Sequence, residues 1–241
     1  MSGIFWCKSC NVPLLIEKCN VCGSIGKRIS ADIRPVFPEE QVFYEVVLNL
    51  EMGTLEGNSV WDIGANRIFS NGKIYRISKK NIQGIDPSTI REKINSRSLD
   101  QEKVKIHQMY LERFTEANVS RLDYIDYRAW QIIKTAIETH PNHIPIVSFS
   151  GGKDSTVVSH LVNRYFSGQP VLHIFGDTTL ELPTTYSYIS RFKEMNSKIP
   201  FITPKSSHDF FDLCKKIGPP SRIMRWCCNV FKTGPIGKKI Q

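Results

Sequence analysis

The chain has 241 residues, a hydrophobic content of 41 %, and 32 Lys and Arg against 23 Asp and Glu, for a net charge of +9. That length accommodates one large domain or two to three small ones, with enough apolar residues for a buried core. No apolar run approaches the roughly 20 residues of a membrane-spanning helix, and the N-terminus lacks a basic segment followed by an apolar one, which predicts a cytoplasmic protein without a membrane partner. The basic excess fits an anionic partner, either nucleotide or nucleic acid. Seven cysteines fall in two groups, four within the first 22 residues and three between 214 and 228. An odd count without an export signal argues against a disulfide framework and for metal binding.

The first group is Cys7-Lys-Ser-Cys10 and Cys19-Asn-Val-Cys22, two CxxC pairs eight residues apart. Four thiolates on two tight turns close a tetrahedral site, which predicts a structural zinc module over residues 1–30; by ligand type iron would also fit. Few apolar residues lie nearby, so the segment is expected to need the metal as a staple. Lys27 to Glu40 contains Arg34-Pro35 and Phe37-Pro38 and reads as an extended linker. Val42 to Leu50 reads as a strand or a short buried helix. Ser59–Ile63 and Arg67–Phe69 read as strands, and Ser70-Asn71-Gly72-Lys73 as a hairpin turn into a strand Ile74–Ile77. Residues 40–95 are therefore expected to form a small β-rich module. In its order along the chain and its one hairpin it is faintly similar to PUA-like RNA-binding modules, a resemblance that implies contacts to tRNA or DNA through basic N-terminal modules.

Residues 98–140 have a helical pattern. Val104, Met109, Phe114 and Ala117 suggest one helix, and Ser120 with Asp123 a capping-box start for a second. Leu122, Ile125, Ala129, Ile132, Ile133, Ala136 and Ile137 form its apolar stripe, with Tyr124, Tyr127 and Trp130 expected to pack rather than stack on bases. Pro141 ends it.

The most informative stretch follows. Ile146 to Phe149 reads as a buried strand, Ser150-Gly151-Gly152 as a turn, and Asp154 onward as a helix with Val157, Val158, Leu161 and Val162 on one face. Strand, glycine turn and helix is the geometry that holds phosphate, because glycines allow close backbone approach and the first helical amides lack internal partners. It is not a Walker A loop, since Val147 rather than Gly lies five positions before Gly152 and Asp154 follows the lysine. Further strands at Pro170–Gly176 and Lys198–Thr203 alternate with helices near 183–196 and 208–217. The fold class expected is α/β, a parallel sheet with helices on both faces, with ligands beyond the carboxyl ends of the strands. Six histidines show no ligand spacing, and Cys214 is expected in the core.

Ser150-Gly-Gly-Lys-Asp-Ser155 resembles the PP-loop of the adenine nucleotide alpha-hydrolases. Phe175-Gly-Asp-Thr-Thr-Leu-Glu-Leu-Pro-Thr-Thr185 and Arg225-Trp-Cys-Cys228, followed by Lys232 and Pro235, are similar to segments of the PAPS reductase branch. The resemblance spans roughly residues 120–240, within a lead-in and PP-loop region at 98–241. It implies binding of ATP or a sulfated adenylate (PAPS or APS), with chemistry at the phosphate next to adenosine.

On that reading the nucleotide contacts are Ser148, Ser150, Gly151, Gly152, Lys153, Asp154, Ser155, Asp177 and Thr178, with Lys153 neutralising phosphate charge. Asp154 and Asp177 are candidates for Mg²⁺. Arg222, Arg225 and Lys232 are candidates for a second anion. Cys227 and Cys228 are open to two readings: a reactive thiol that carries sulfur, or half of an iron–sulfur ligand set needing a CxxC beyond Gln241. The resemblance also implies five parallel strands and a C-terminal cysteine. Three strands are found, so a further segment or a partner subunit is expected to complete the site. The competing reading is a zinc-containing nucleic-acid adaptor, or a subunit of a tRNA or DNA thiolation complex with little nucleotide turnover.

Overall fold

The computed structural model describes residues 3–96, 101–167 and 169–240. The chain divides into two compact units, Met1–Asp126 and Tyr127–Gln241. The start of the expected helical region, residues 98–100, lies outside the described residues.

In the first unit, β1 (Ile4–Cys7), β2 (Val12–Leu14) and β3 (Lys27–Ser30) form an antiparallel sheet of order β2-β1-β3. A second antiparallel sheet has the order β4-β5-β6-β7, from β4 (Arg34–Pro35), β5 (Val60–Asp62), β6 (Arg67–Ser70) and β7 (Lys73–Arg76). Helix α1 (Pro38–Val47) precedes β5; α2 (Lys79–Ile82), α3 (Pro87–Ser96) and α4 (Gln101–Ala117) follow β7. The expected hairpin forms at Asn71-Gly72, pairing Ser70 with Lys73.

The stretch read as an extended linker is structured instead. β3 pairs with β1, β4 pairs with β5, and α1 begins at Pro38. Proline is tolerated in β4 because that strand is at the sheet edge, and Pro38 sits in the first turn of α1, where an amide has no partner anyway. Val42 falls in this helix and is buried.

The cysteine segment is not isolated. Cys7, Cys10 and Cys19 share a buried cluster with Val12, Leu14 and Ala117, with Phe5, Tyr110 and Phe114 packed on it. A neighbouring cluster joins Trp6 to Trp61, Ile63 and Phe69. The apolar partners that the hairpin lacks locally come from α4, a hundred residues later. The helix break after α4 is made by Asn118 rather than by Ser120. Asn118 is fully buried, its Oδ1 accepts from Leu15 N at 2.6 Å, and its Nδ2 donates to Pro13 O at 2.9 Å and Phe114 O at 2.8 Å. Helix α5 (Val119–Thr139) starts directly after it. None of the expected stripe on α5 is buried, and Ile132, Tyr124 and Tyr127 are largely exposed, while Trp130 packs on Tyr165 at 4.9 Å.

In the second unit β8 (Ile146–Ser148), β9 (Leu172–Ile174) and β10 (Phe201–Ile202) form a parallel sheet of order β10-β9-β8. Its helices are α6 (Lys153–Tyr165), α7 (Pro183–Met195), α8 (Phe210–Ile217), α9 (Trp226–Cys228) and α10 (Gly234–Ile240), with a π-helical turn at Asn229–Thr233. The α/β class with a parallel sheet and helices is therefore as expected. Phe149, Phe175 and Ile189 form its core, with Tyr188, Phe192 and Phe201 against them.

Three local expectations fail here. β8 is an edge strand and is not buried throughout: Val147 is covered, but Ile146 is 37 % exposed. On α6 the inward residue is Ser159, whose Oγ meets buried His173 Nε2 at 2.8 Å, whereas Val157 and Val158 are exposed. A buried histidine on β9 needs a polar partner, and Ser159 supplies it. Cys214 is half-buried rather than a core residue.

The charge distribution also corrects an expectation. Residues 1–126 carry 17 Lys and Arg against 16 Asp and Glu, a net +1, while residues 127–241 carry 15 against 7, a net +8. Residues 1–30 carry 4 Lys and Arg against 1 acidic residue and residues 40–95 carry 7 against 7, so only the first N-terminal module is basic, and most of the excess cationic charge belongs to the α/β unit.

Candidate nucleotide site and cysteine cluster

The carboxyl ends of β8 and β9 build the nucleotide candidate. Register pairs Ser148 with Ile174, and Phe149 N donates to Ile174 O at 2.9 Å. Continuing that register brings Ser150 level with Gly176, one residue before Asp177. Gly151 has φ +74°, a left-handed conformation that costs a side-chain-bearing residue about 1–2 kcal/mol.

The loop is tied by hydroxyl side chains, and its amides find no carbonyl acceptors. Ser155 Oγ accepts from Ser150 N at 3.2 Å and donates to Gly152 O at 2.9 Å; Ser150 Oγ lies 3.2 Å from it and 3.4 Å from Gly152 N. Among the described residues no amide of residues 150–154 donates to a backbone carbonyl. Amides left in this way at a helix start are anion-binding groups. Thr156 Oγ1 donates to Gly152 O at 3.0 Å and lies 3.0 Å from Tyr188 Oη, linking the loop to α7. Lys153 Nζ meets Asp154 Oδ1 at 2.7 Å, with both side chains 88 % exposed, a weak solvent-screened pair that leaves the ammonium available.

Asp177 sits at the strand end as expected, bridged to Lys205, but its Oδ1 is already engaged. It accepts from Thr179 N at 2.8 Å and from Tyr186 Oη at 2.7 Å. That hydrogen bond pushes the Tyr186 hydroxyl up to about 12. Thr178 Oγ1 donates to Glu181 Oε1 at 3.0 Å, and Thr179 adopts φ +67°. The Asp-Thr-Thr segment is thus a tight, side-chain-braced turn, and such strain is commonest at functional sites. Tyr186, Tyr188 and Thr156 had no sequence signal as site residues, because their contacts cross from one element to another.

Lys232 is brought to the same edge. Its Cγ lies 3.8 Å, and Ile236 Cδ1 3.1 Å, from where a Cβ on Gly176 would stand. Gly176 is what lets the π-helical turn and α10 close on β9. Phe210, Trp226 and Phe231 anchor this segment, with ring centroids 5.5–6.2 Å apart. Arg222 and Arg225 are exposed, and Cys227 and Cys228 are half-buried free thiols. None of these four is joined to the Ser150–Ser155 loop by a hydrogen bond or ion pair among the described residues, and Cys227 and Cys228 belong to no cluster of three or more ligand side chains.

The four N-terminal cysteines do come together. Their sulfur atoms all lie within 4.8 Å of one another, with Cys7–Cys22 at 3.4 Å and Cys10–Cys19 at 3.7 Å. A tetrahedron with Zn–S near 2.3 Å has edges of about 3.8 Å, so the donor set and spacing fit a metal such as zinc. Burial pushes the Cys7 thiol up and Cys10 up to about 12, while hydrogen bonds from Ser24 pull exposed Cys22 down to about 6. The Cys10 amide points at Cys7 Sγ, 3.4 Å away, an N–H···S contact that favours thiolate.

Residues 144–241 match the family described as the phosphoadenosine phosphosulfate reductase domain. An uncharacterized protein of Methanocaldococcus jannaschii is 31 % identical over 129 residues, which is 52 % of this chain and 30 % of the relative. A second uncharacterized protein of that organism is 24 % identical over 338 aligned positions, covering 98 % of this chain and 70 % of the relative. The chain thus spans under a third of the first relative's length. A crystal structure of phosphoadenylyl-sulfate (PAPS) reductase from Candida auris, a phosphate complex, aligns at 18 % identity and a TM-score of 0.33, over 59 % of this chain and 63 % of that one. That overlap carries no argument about the site. Residues 144–241 are therefore similar to the phosphoadenosine phosphosulfate reductase domain, and the motif segments and the parallel sheet of that stretch agree with the match.

Proposed function

We propose that this protein is an enzyme of the PAPS reductase-like, ATP-pyrophosphatase class, acting on an adenine nucleotide at the phosphate next to adenosine, in sulfur metabolism or sulfur transfer. The observation that carries the reading is the Ser150–Ser155 loop, whose amides have no carbonyl acceptors and which opens at the strand edge shared by Asp177 and Lys232. The amides of residues 150–154, with the Ser150 and Ser155 hydroxyls, would cradle the phosphates, and Lys153 would neutralise charge developing on them. Asp154 and the remaining oxygen of Asp177 would hold Mg²⁺, whose role is to offset phosphate charge. Lys232 is the better-placed of the three cations proposed for a second anion. Cys227 or Cys228 would be the thiol that takes a sulfane sulfur from a persulfide donor, the donor leaving as its thiolate. The N-terminal cysteines would hold zinc as a staple for the β1–β2 hairpin.

A second reading, an anionic macromolecule as sulfur acceptor, is favoured by the net +8 of residues 127–241. It places that contact on the α/β unit. Incubation with ATP, PAPS or APS separates the branches. Release of AMP and pyrophosphate from ATP supports the adenylating branch, and turnover of PAPS or APS with a thiol reductant supports the reductase branch. No turnover of any of the three, alone or with tRNA or DNA, would leave only the adaptor reading.

A further inference from the structure

The first unit holds a cavity of about 350 Å³ bounded by α1, α3, α4 and the loop Glu56–Asn58. Its volume is at the low end of the roughly 300–1,000 Å³ typical of small-molecule sites, room for one ring system with part of a sugar. Val42, Ile94 and Ile106 supply apolar wall. Two polar groups in the lining lack protein partners among the described residues. Gln41 is 7 % exposed overall, and its side-chain amide, which reaches solvent through the cavity, makes no hydrogen bond among the described residues. His107 Nε2 is buried and also unpaired. Buried polar groups are almost always satisfied, so the orphaned His107 Nε2, with the unengaged Gln41 amide beside it in the same lining, calls for a ligand or ordered water.

We propose that this cavity is a recognition pocket for a single nucleobase, read by the Gln41 amide and the His107 imidazole. The amide offers both a donor and an acceptor, and a neutral imidazole offers one more of either kind, the alternation that the edge of a base presents. Burial lowers the proton affinity of His107, which keeps the ring neutral. The charges in the lining favour an uncharged ring over a phosphate: among the described residues Glu39 and Glu56 stand against Lys103, which is paired with Glu56 at 2.5 Å. The base could arrive as a free nucleoside or on a single strand. The inference is independent of the PP-loop reading, which concerns the other unit.

The test is NMR titration of the whole metal-loaded chain with adenosine, guanosine, cytidine and uridine, and with short mixed-sequence single-stranded RNA, reading the His107 ring resonances. At least one probe is expected to shift them saturably. Gln41→Leu, which preserves volume and removes an unpaired amide, is expected to weaken that probe at least tenfold without lowering Tm, and Ser150→Ala to leave it unchanged. An RNA affinity tenfold or more above the nucleoside's identifies a strand-borne base; equal affinities identify a free nucleoside. Should Gln41→Leu unfold, His107→Phe with the Gln41 side-chain amide as reporter serves in its place. No response at His107 from any probe, or binding that survives Gln41→Leu undiminished, overturns the proposal.

Discussion

Asn118→Ala tests how the cysteine hairpin is held on its helix. Asn118 is fully buried at the break between α4 and α5, and spans the hairpin with bonds to Leu15 N at 2.6 Å and Pro13 O at 2.9 Å. The truncation leaves that N–H and that carbonyl inside the core without partners. Each costs about 1–3 kcal/mol, so the variant should lose about 2–6 kcal/mol. With a urea m-value near 2 kcal/mol/M, the middle of that range moves the midpoint down by about 2 M. Equilibrium urea unfolding of the metal-loaded chain, followed by fluorescence of buried Trp6 and Trp61, reads it directly. Metal occupancy must be held constant, because a ligand bound only to the native state shifts the midpoint by mass action. A midpoint shift under about 0.3 M with unchanged m would refute the claim that Asn118 is the clasp.

Gly151→Ala should cost about 1–2 kcal/mol of stability through its left-handed backbone, since the added Cβ meets Ile189 and Tyr188 only at ordinary contact distances of 3.4–3.5 Å; thermal melting checks it. Stripping metal with a strong chelator, or Cys19→Ser, should loosen the first unit, read as loss of amide-exchange protection across β1 and β2; unchanged protection would count against a structural metal. Burial depresses the proton affinity of His173, so the unfolded chain takes up its proton first. Stability from this group is intact above pH of about 6.5 and falls as pH drops below it. His107 adds an effect of the same sign, so His173→Gln should flatten part of the decline in Tm between neutral and acid pH, and an unchanged slope would refute the assignment.

Local signals in the sequence were enough for the elements that depend on neighbours along the chain. The CxxC spacing specifies a four-sulfur cluster because two tight turns bring each pair together by themselves. The Ser150–Ser155 loop is legible because strand, turn and helix are contiguous. What escaped are contacts between distant residues. Nothing local to Cys7 or Cys19 announces that Ala117 and Phe114 cover them, and nothing near Asp177 announces Tyr186. The β3–β4 region reads as a linker because each strand is short and takes its partner from elsewhere. Valines at 157 and 158 look like a buried face by period alone, but the sheet beneath presents a histidine, and the serine one position on answers it.

The central claim is that the loop amides and Lys153 hold an adenylate's phosphates. Calorimetric titration with ATP and with PAPS, comparing the natural chain with the double variant Ser150→Ala, Lys153→Ala, tests it most directly. Loss of two charge-assisted contacts at about 1.5–3 kcal/mol each predicts at least a roughly hundredfold weaker Kd for the better ligand, with Tm unchanged because both side chains are exposed. Equal affinity in the two proteins, or no binding of either nucleotide to the natural chain, would contradict it.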